Sequence, residues 1–457
     1  MSTSTDVRLW GVRRNKSSGT PSYEARWVVA GREKSRTRRT RALAESFLSE
    51  LRQAARRGES FDVATGLPES MLRAATGTTW YAFVLGYVDK RWPGLAAHTR
   101  KSMLEALGTV TAALVHDRPY RPDFADLYRA LVRYGLAPGS RTEARPPGIA
   151  QILRWLESAS VPMVALEDED LIERALTAIA LRLDGKAAAA TVVRRKRAVF
   201  YNVLDVAATG KSRILTRNPP VTMRWAPPEA AEKVDRRVVV NPGQARELLA
   251  ALPYVGGRDR NRGRRLVAMF ACLYYAALRP AEAVNLRESD CELPTSGWGR
   301  IHLSKTTPEV GKRYTDSGAL HDSRGLKHRP DDEVRPVPIP PELVTLLRWH
   351  LGEFGAASDG RLFRQPNGRI VGSSTYSQVW QAAREIAFTP AQVASPLAGR
   401  PYDLRHAAVS LWLNAGVPTP TVARRAGHSV EVLLRVYANC IDGDEEMANQ
   451  RISGALG

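Results

Sequence analysis

The sequence predicts a multidomain chain: a small α+β N-terminal domain, an all-α domain, and a mixed α+β domain that is mainly helical. Length is the first reason, since 457 residues at roughly 150 per domain give about three units. The second is a change of period along the chain. Apolar residues alternate near the N-terminus, recur at helical spacing through the middle, and do both towards the end. The third is a proline-rich stretch near 217–236, with Pro219-Pro220 and Pro227-Pro228, which reads as an extended linker. The boundaries fall at 1–72, 75–220 and 238–457, with the linker at 221–237.

In the first unit, Val7, Leu9 and Gly11, and then Tyr23, Ala25, Trp27 and Val29, alternate with polar residues, which predicts two strands around a turn at 18–21. Gly31 opens another turn, and 40–57 has helical spacing through Leu43, Phe47 and Leu51. The second unit predicts helices over 80–92, 97–116, 123–134, 148–158, 169–183 and 188–208. In the third, Asn241-Pro242 opens a helix with proline in its first turn. The apolar run from Leu266 to Leu278 is its buried central helix. Strands are expected at 300–304 and 334–339, and helices at 342–354, 375–386, 404–414, 419–426 and 430–437.

Charge narrows the partners. Lys plus Arg is 67 against 47 Asp plus Glu, a formal net charge of +20, and most of the excess is arginine. Such a surface attracts polyanions, nucleic acid first and an anionic membrane second. From Val7 to Arg41, eleven basic residues stand against Glu24 and Glu33. A small basic sheet backed by a helix fits a DNA groove, with Arg13, Arg14, Arg26, Arg36, Arg38 and Arg39 as its contacts. Arg194, Arg195 and Lys196 add a basic helix face in the second unit. The 13-residue apolar run is too short to span a bilayer, and the first 30 residues hold no signal-peptide pattern. Cys272, Cys291 and Cys440 have neither metal nor disulfide spacing. These features predict a reduced, cytoplasmic, nucleoid-associated protein without a membrane partner.

Phosphate-binding glycine loops and the common metal motifs are absent, so no cofactor and no metal are expected. What stands out is a set in the last 180 or so residues. It comprises Ala277-Leu278-Arg279-Pro280-Ala281-Glu282, Pro401-Tyr402-Asp403-Leu404-Arg405-His406, Gly427-His428 and Val436-Tyr437. Arg405 precedes His428 by 23 residues, and His428 precedes Tyr437 by nine. In this order and spacing the set resembles the tyrosine recombinase (phage integrase) family, and the three-unit layout resembles the long integrases of bacterial integrative elements.

Chemistry fits the resemblance. Cleaving a phosphodiester requires a nucleophile, neutralisation of the phosphorane, and a proton for the leaving 5′ oxygen. Without a metal, arginine forks suit the second task, because they stay protonated and match non-bridging oxygens. Arg279 and Arg405 fill that role, with Glu282 placed to hold Arg279. The resemblance implies that Tyr437 is the nucleophile, forming a 3′-phosphotyrosyl link, that nearby arginines favour its phenolate, and that His428 binds a phosphate oxygen. It also implies a lysine general acid on a hairpin. Lys327 is the choice, Lys305 the runner-up and Lys312 third. Arg335 is read as a phosphate-backbone contact and His406 as a packing or backbone-bonding histidine. Tyr402 stands where the family usually has histidine, so its role stays open, and removal of the Tyr437 proton falls to His428 or water.

The resemblance further implies core and arm-type sites on double-stranded DNA, with the N-terminal domain on the arm sites and the helical domain as the core-binding domain. It implies a homotetramer on two duplexes, an accessory excision or DNA-bending factor, and a C-terminal tail (443–456) docked on a neighbouring protomer. A non-catalytic DNA-binding protein of the same fold is the alternative, and a type IB topoisomerase is a closer variant of the same chemistry. Because the basic residues are spread over all three units, duplex affinity should fall steeply between about 50 and 300 mM salt as counterions are released. A nearly flat binding constant in a fluorescence titration would contradict this.

Overall fold

The computed structural model describes residues 3–15, 22–71, 77–209, 214–219, 225–226, 228–229, 233–256, 259–326, 333–440 and 445–456. The chain divides into two compact units, Met1–Glu229 and Ala230–Gly457.

The first unit opens with an antiparallel sheet of β1 (Val7–Leu9), β2 (Arg13–Asn15), β3 (Ser22–Val29) and β4 (Arg32–Arg38). Strand β3 pairs with the other three. Its alternation sends Ala25, Trp27 and Val29 inward onto helix α1 (Arg41–Arg56), where they meet Phe47, Leu48 and Leu51. Thr40 caps α1 by accepting the Leu43 amide at 3.3 Å. Strand β4 was not expected from sequence. Its residues, Arg-Glu-Lys-Ser-Arg-Thr-Arg, include no apolar side chain to reveal a period, and a charged strand at a sheet edge resists pairing with other chains.

Six helices follow: α2 (Trp80–Arg91), α3 (Ala97–Ala113), α4 (Phe124–Ala130), α5 (Pro147–Ala159), α6 (Glu169–Ala180) and α7 (Ala190–Thr209). Helix α3 is central, buried along most of its length and packed against α4, α6 and α7. Helix α4 is shorter than expected because the chain loosens into a wider turn over Leu131–Gly135.

The second unit begins with α8 (Pro242–Ala251), capped by Asn241 and Gln244 in a reciprocal box. Helix α9 (Val267–Tyr275) is the apolar run, buried from Val267 to Tyr274 and packed on α11 (Pro341–Phe354) and α13 (Asp403–Asn414). One turn of helix, α10 (Pro280–Ala283), comes next. Strands β5 (Cys291–Glu292), β6 (Gly299–Leu303) and β7 (Arg335–Ile339) form an antiparallel sheet with β6 in the middle. Helices α12 (Ser373–Ala387), α14 (Thr419–Ala426), α15 (Val430–Tyr437) and α16 (Glu445–Leu456) complete the unit. Helix α14 packs on β7, α13 and α15, so three elements carrying candidate site residues meet around it. No helix among the described residues is long and apolar enough to cross a membrane.

Candidate active site

Backbone reversals build the site. After α9, Ala277 takes a left-handed conformation (φ 50°), unusual for a residue with a Cβ. That turn directs the Ala277 carbonyl at the Arg405 guanidinium, which donates to it through Nη1. It also releases Arg279 to start α10, where Pro280 fills the first helical position. Helix α14 ends at Gly427, again left-handed (φ 67°). Only glycine fits there: a Cβ would run into the Arg335 guanidinium.

Glu282 lies at the centre. Its carboxylate accepts from Arg279 Nη1 at 2.7 Å, from the Arg279 backbone amide at 2.9 Å and from Arg335 Nη2 at 2.8 Å. It is buried, as are Arg335 and Arg405. Burial alone would raise its pKa. The charges of Arg335, Arg279 and Arg405 and the backbone hydrogen bond outweigh that and hold it down at about 2. Three guanidiniums against one carboxylate leave a formal excess of two positive charges among the described residues.

Arg405 is fully buried on the first turn of α13. Besides Ala277 it donates through Nη2 to the Ala426 carbonyl at 2.5 Å and to His428 Nε2 at 2.8 Å. A guanidinium has only donors, so His428 Nε2 accepts and the imidazole proton sits on Nδ1. That Nδ1 and Arg405 Nε are buried and make no hydrogen bond with any described residue. Burial, reinforced by Arg405, Arg279 and Arg335, lowers His428 to about 3, so it is neutral at physiological pH. Arg279 is the most exposed of the three arginines and donates its Nη2 to the Gly427 carbonyl at 2.9 Å.

Tyr437 closes α15, whose start is capped by Ser429. Its ring is buried with Ala277, Ala408, Val422 and Leu433. His406 Nδ1 lies 2.9 Å from its hydroxyl. Burial pushes the phenol above its ordinary value, against the pull of Arg405 and Arg279. The arginines do favour the phenolate, as expected, but desolvation outweighs them.

The structure brings Arg279, Arg405, His428, Tyr437 and Tyr402 together and adds two residues in roles sequence reasoning did not give them. His406, expected to serve packing, sits on the Tyr437 hydroxyl. Arg335, expected on the DNA backbone, is instead buried against Glu282. A signal for it was present: Arg335, Val337 and Ile339 share one face of β7, and that face is core. Tyr402 stacks edge-on against His406, with ring centroids 5.1 Å apart, near enough to Arg279 to help raise that guanidinium's pKa. Lys327 lies outside the described residues. Lys305 is exposed in a two-residue strand, Lys305–Thr306, and Lys312 sits in a short turn of helix. Among the described residues no three His, Cys, Asp or Glu side chains gather to hold a metal.

The expected DNA contacts are divided rather than gathered. Arg13 and Arg26 share the sheet face turned from α1, since Arg13 pairs with Glu24 and both neighbours of Arg26 point inward. Arg26 also pairs with Glu33 at 3.1 Å and covers Trp10. Arg14, Arg36 and Arg38 lie on the α1 side, the last two over the Phe47 ring. Arg39 is exposed beyond β4. On α7, Arg194 and Arg195 are exposed, with Arg195 3.4 Å from Glu105. Lys196 is half-buried and donates to Thr109 Oγ1 at 2.9 Å.

No model of a known protein family matches the sequence, nor does any curated protein. Solved structures do resemble it. The Tn1549 transposon integrase in complex with transposon right end DNA is 14% identical with a TM-score of 0.47, covering 69% of this chain and 96% of its own. A lambda integrase dimer bound to a COC′ core site is 13% identical with a TM-score of 0.48, covering 92% and 91%. The XerH site-specific recombinase bound to difH is 13% identical with a TM-score of 0.43, covering 78% and 96%. These are likenesses to integrases and recombinases at low identity, and what the site can do follows from its own residues.

Glu282→Gln should destabilise the second unit by about 3–5 kcal/mol at pH 7, because it leaves buried guanidiniums uncompensated. A carboxyl with a depressed folded-state pKa stabilises above its unfolded value and loses that contribution as pH falls towards about 2. In urea titrations the gap between parent and variant should therefore narrow below about pH 4.5. An equal gap at pH 7 and pH 3 would contradict the assignment.

Proposed function

We propose that this chain is a site-specific DNA recombinase that cleaves and rejoins DNA through Tyr437. One observation carries the proposal: a tyrosine hydroxyl beside a buried arginine cluster whose positive charge exceeds its carboxylate. Such a cluster favours an anion, and a phosphodiester supplies one at a position the hydroxyl can attack. Arg279, the most open of the three, would meet the non-bridging oxygens first. His428 Nδ1–H and Arg405 Nε would donate to the same phosphate as charge develops in the phosphorane. Attack forms a 3′-phosphotyrosyl bond and frees a 5′ hydroxyl, protonated by Lys327, with Lys305 as the alternative acid. The bond energy is kept, so rejoining needs no nucleotide.

The wider reading is an integrase of a mobile element. The sheet of the first unit would hold arm-type sites, the helical segment would bind core sites, and four protomers would join two duplexes with help from an accessory factor. A second reading, a DNA-binding protein without catalysis, draws on Arg405, whose terminal nitrogens are engaged by protein acceptors.

A pool of nicked duplexes with randomised flanks separates the two. The parent should yield DNA that stays protein-bound after denaturation, with an enriched sequence, and Tyr437→Phe should lose at least about 100-fold of it. Sequence-selective binding without any covalent product would favour the second reading.

A further inference from the structure

We propose that His406 is the general base that takes the Tyr437 proton during cleavage and returns it during rejoining. The inference deepens the recombinase reading and rests on it. Three groups come into question for this proton, and the geometry separates them. His428 Nε2 is already an acceptor for Arg405, and its other nitrogen carries the proton. Tyr402 packs edge-on against His406 and makes no hydrogen bond to the Tyr437 hydroxyl among the described residues. His406 alone among the described side chains has a nitrogen in hydrogen-bond contact with the Tyr437 hydroxyl, at 2.9 Å.

The ring is held for that purpose. His406 follows Arg405 on α13, so the helix that positions the phosphate-binding arginine also positions the base. Tyr402 packs edge-on against the imidazole, and the Tyr437 ring lies 5.6 Å from it, centroid to centroid. These contacts leave His406 half-buried, and burial, with the charges of Arg405 and Arg400, lowers it to about 4. It is neutral at physiological pH and so can accept a proton. With the imidazole proton on Nε2, Nδ1 accepts from the phenol.

In cleavage the Tyr437 O–H bond breaks and its proton moves to His406 Nδ1. The phenolate oxygen bonds to phosphorus, the bond from phosphorus to the 5′ oxygen breaks, and that oxygen takes a proton from the separate acid proposed as Lys327. In rejoining the 5′ hydroxyl gives its proton back to that acid, now a neutral amine, as its oxygen bonds to phosphorus. The bond from phosphorus to the Tyr437 oxygen breaks, and imidazolium His406 returns its proton to the departing phenolate. A bound phosphodiester also assists, because its negative charge offsets Arg405 and eases formation of the imidazolium.

The test uses the full chain and the duplex captured from the randomised pool. His406→Asn keeps a polar group near the Nδ1 position but cannot accept the proton. Single-turnover cleavage should fall by about 100-fold or more, with DNA affinity unchanged. A sulfur in place of the bridging 5′ oxygen, which leaves without a proton, should not restore the rate, since it bypasses the acid and not the base. Cleavage within about threefold of the parent, or full rescue by sulfur, would overturn the assignment. A second measurement needs no DNA. The 15N resonances of His406 at neutral pH should show Nδ1 unprotonated, and they should shift in Tyr437→Phe. A protonated Nδ1 would overturn the base role even if the variant fails to fold. Absence of any covalent product from the parent would instead count against the recombinase reading.

Discussion

The buried carboxylate of Glu282 is what the site depends on. Placing guanidiniums in a protein interior is costly unless an anion compensates them, and here one carboxylate serves two directly and a third through space. It fixes Arg279 through its side chain and backbone amide together, so the short helix α10 and the site form as one object. It also holds the buried Arg335 of β7 through a 2.8 Å bond to Nη2. Among the described residues whose charges act on Glu282, one carboxylate faces three guanidiniums, and the remaining positive charge is what an anionic ligand would answer.

Around that charge the backbone supplies acceptors. The carbonyls of Ala277, Ala426 and Gly427 each take an arginine N–H, and two of these residues are left-handed. The site is thus made at the ends of elements, where carbonyls are not consumed by helical bonding. Tyr437 has its ring in an apolar cluster and its hydroxyl on an imidazole, close enough to feel Arg405 and Arg279, with its phenol pushed up by burial.

Much of this was legible in the sequence because the informative features are one-dimensional. The order and spacing of Arg279, Arg405, His428 and Tyr437 resemble the tyrosine recombinase family, and α9 shows as an unbroken apolar run. Most of the expected helices matched because their apolar period is strong. Strand β4 escaped because it has no apolar residue. Arg335 escaped because its charge argues for the surface, while only the period of β7 puts it on the inward face. His406 escaped for a deeper reason: its partner comes from a helix 31 residues away, and no local pattern reports which way α15 turns the Tyr437 hydroxyl. The division of the N-terminal arginines between two sheet faces likewise depends on register, which composition does not carry.

The central claim is that Tyr437 becomes covalently joined to DNA within this charge cluster. Mass spectrometry of the protein–DNA product after nuclease and protease digestion tests it most directly. The account predicts a nucleotide remnant on the peptide holding Tyr437, linked through the phosphate at the 3′ end of the DNA. A remnant on Tyr402 or another residue, or a link to the 5′ end, would contradict it.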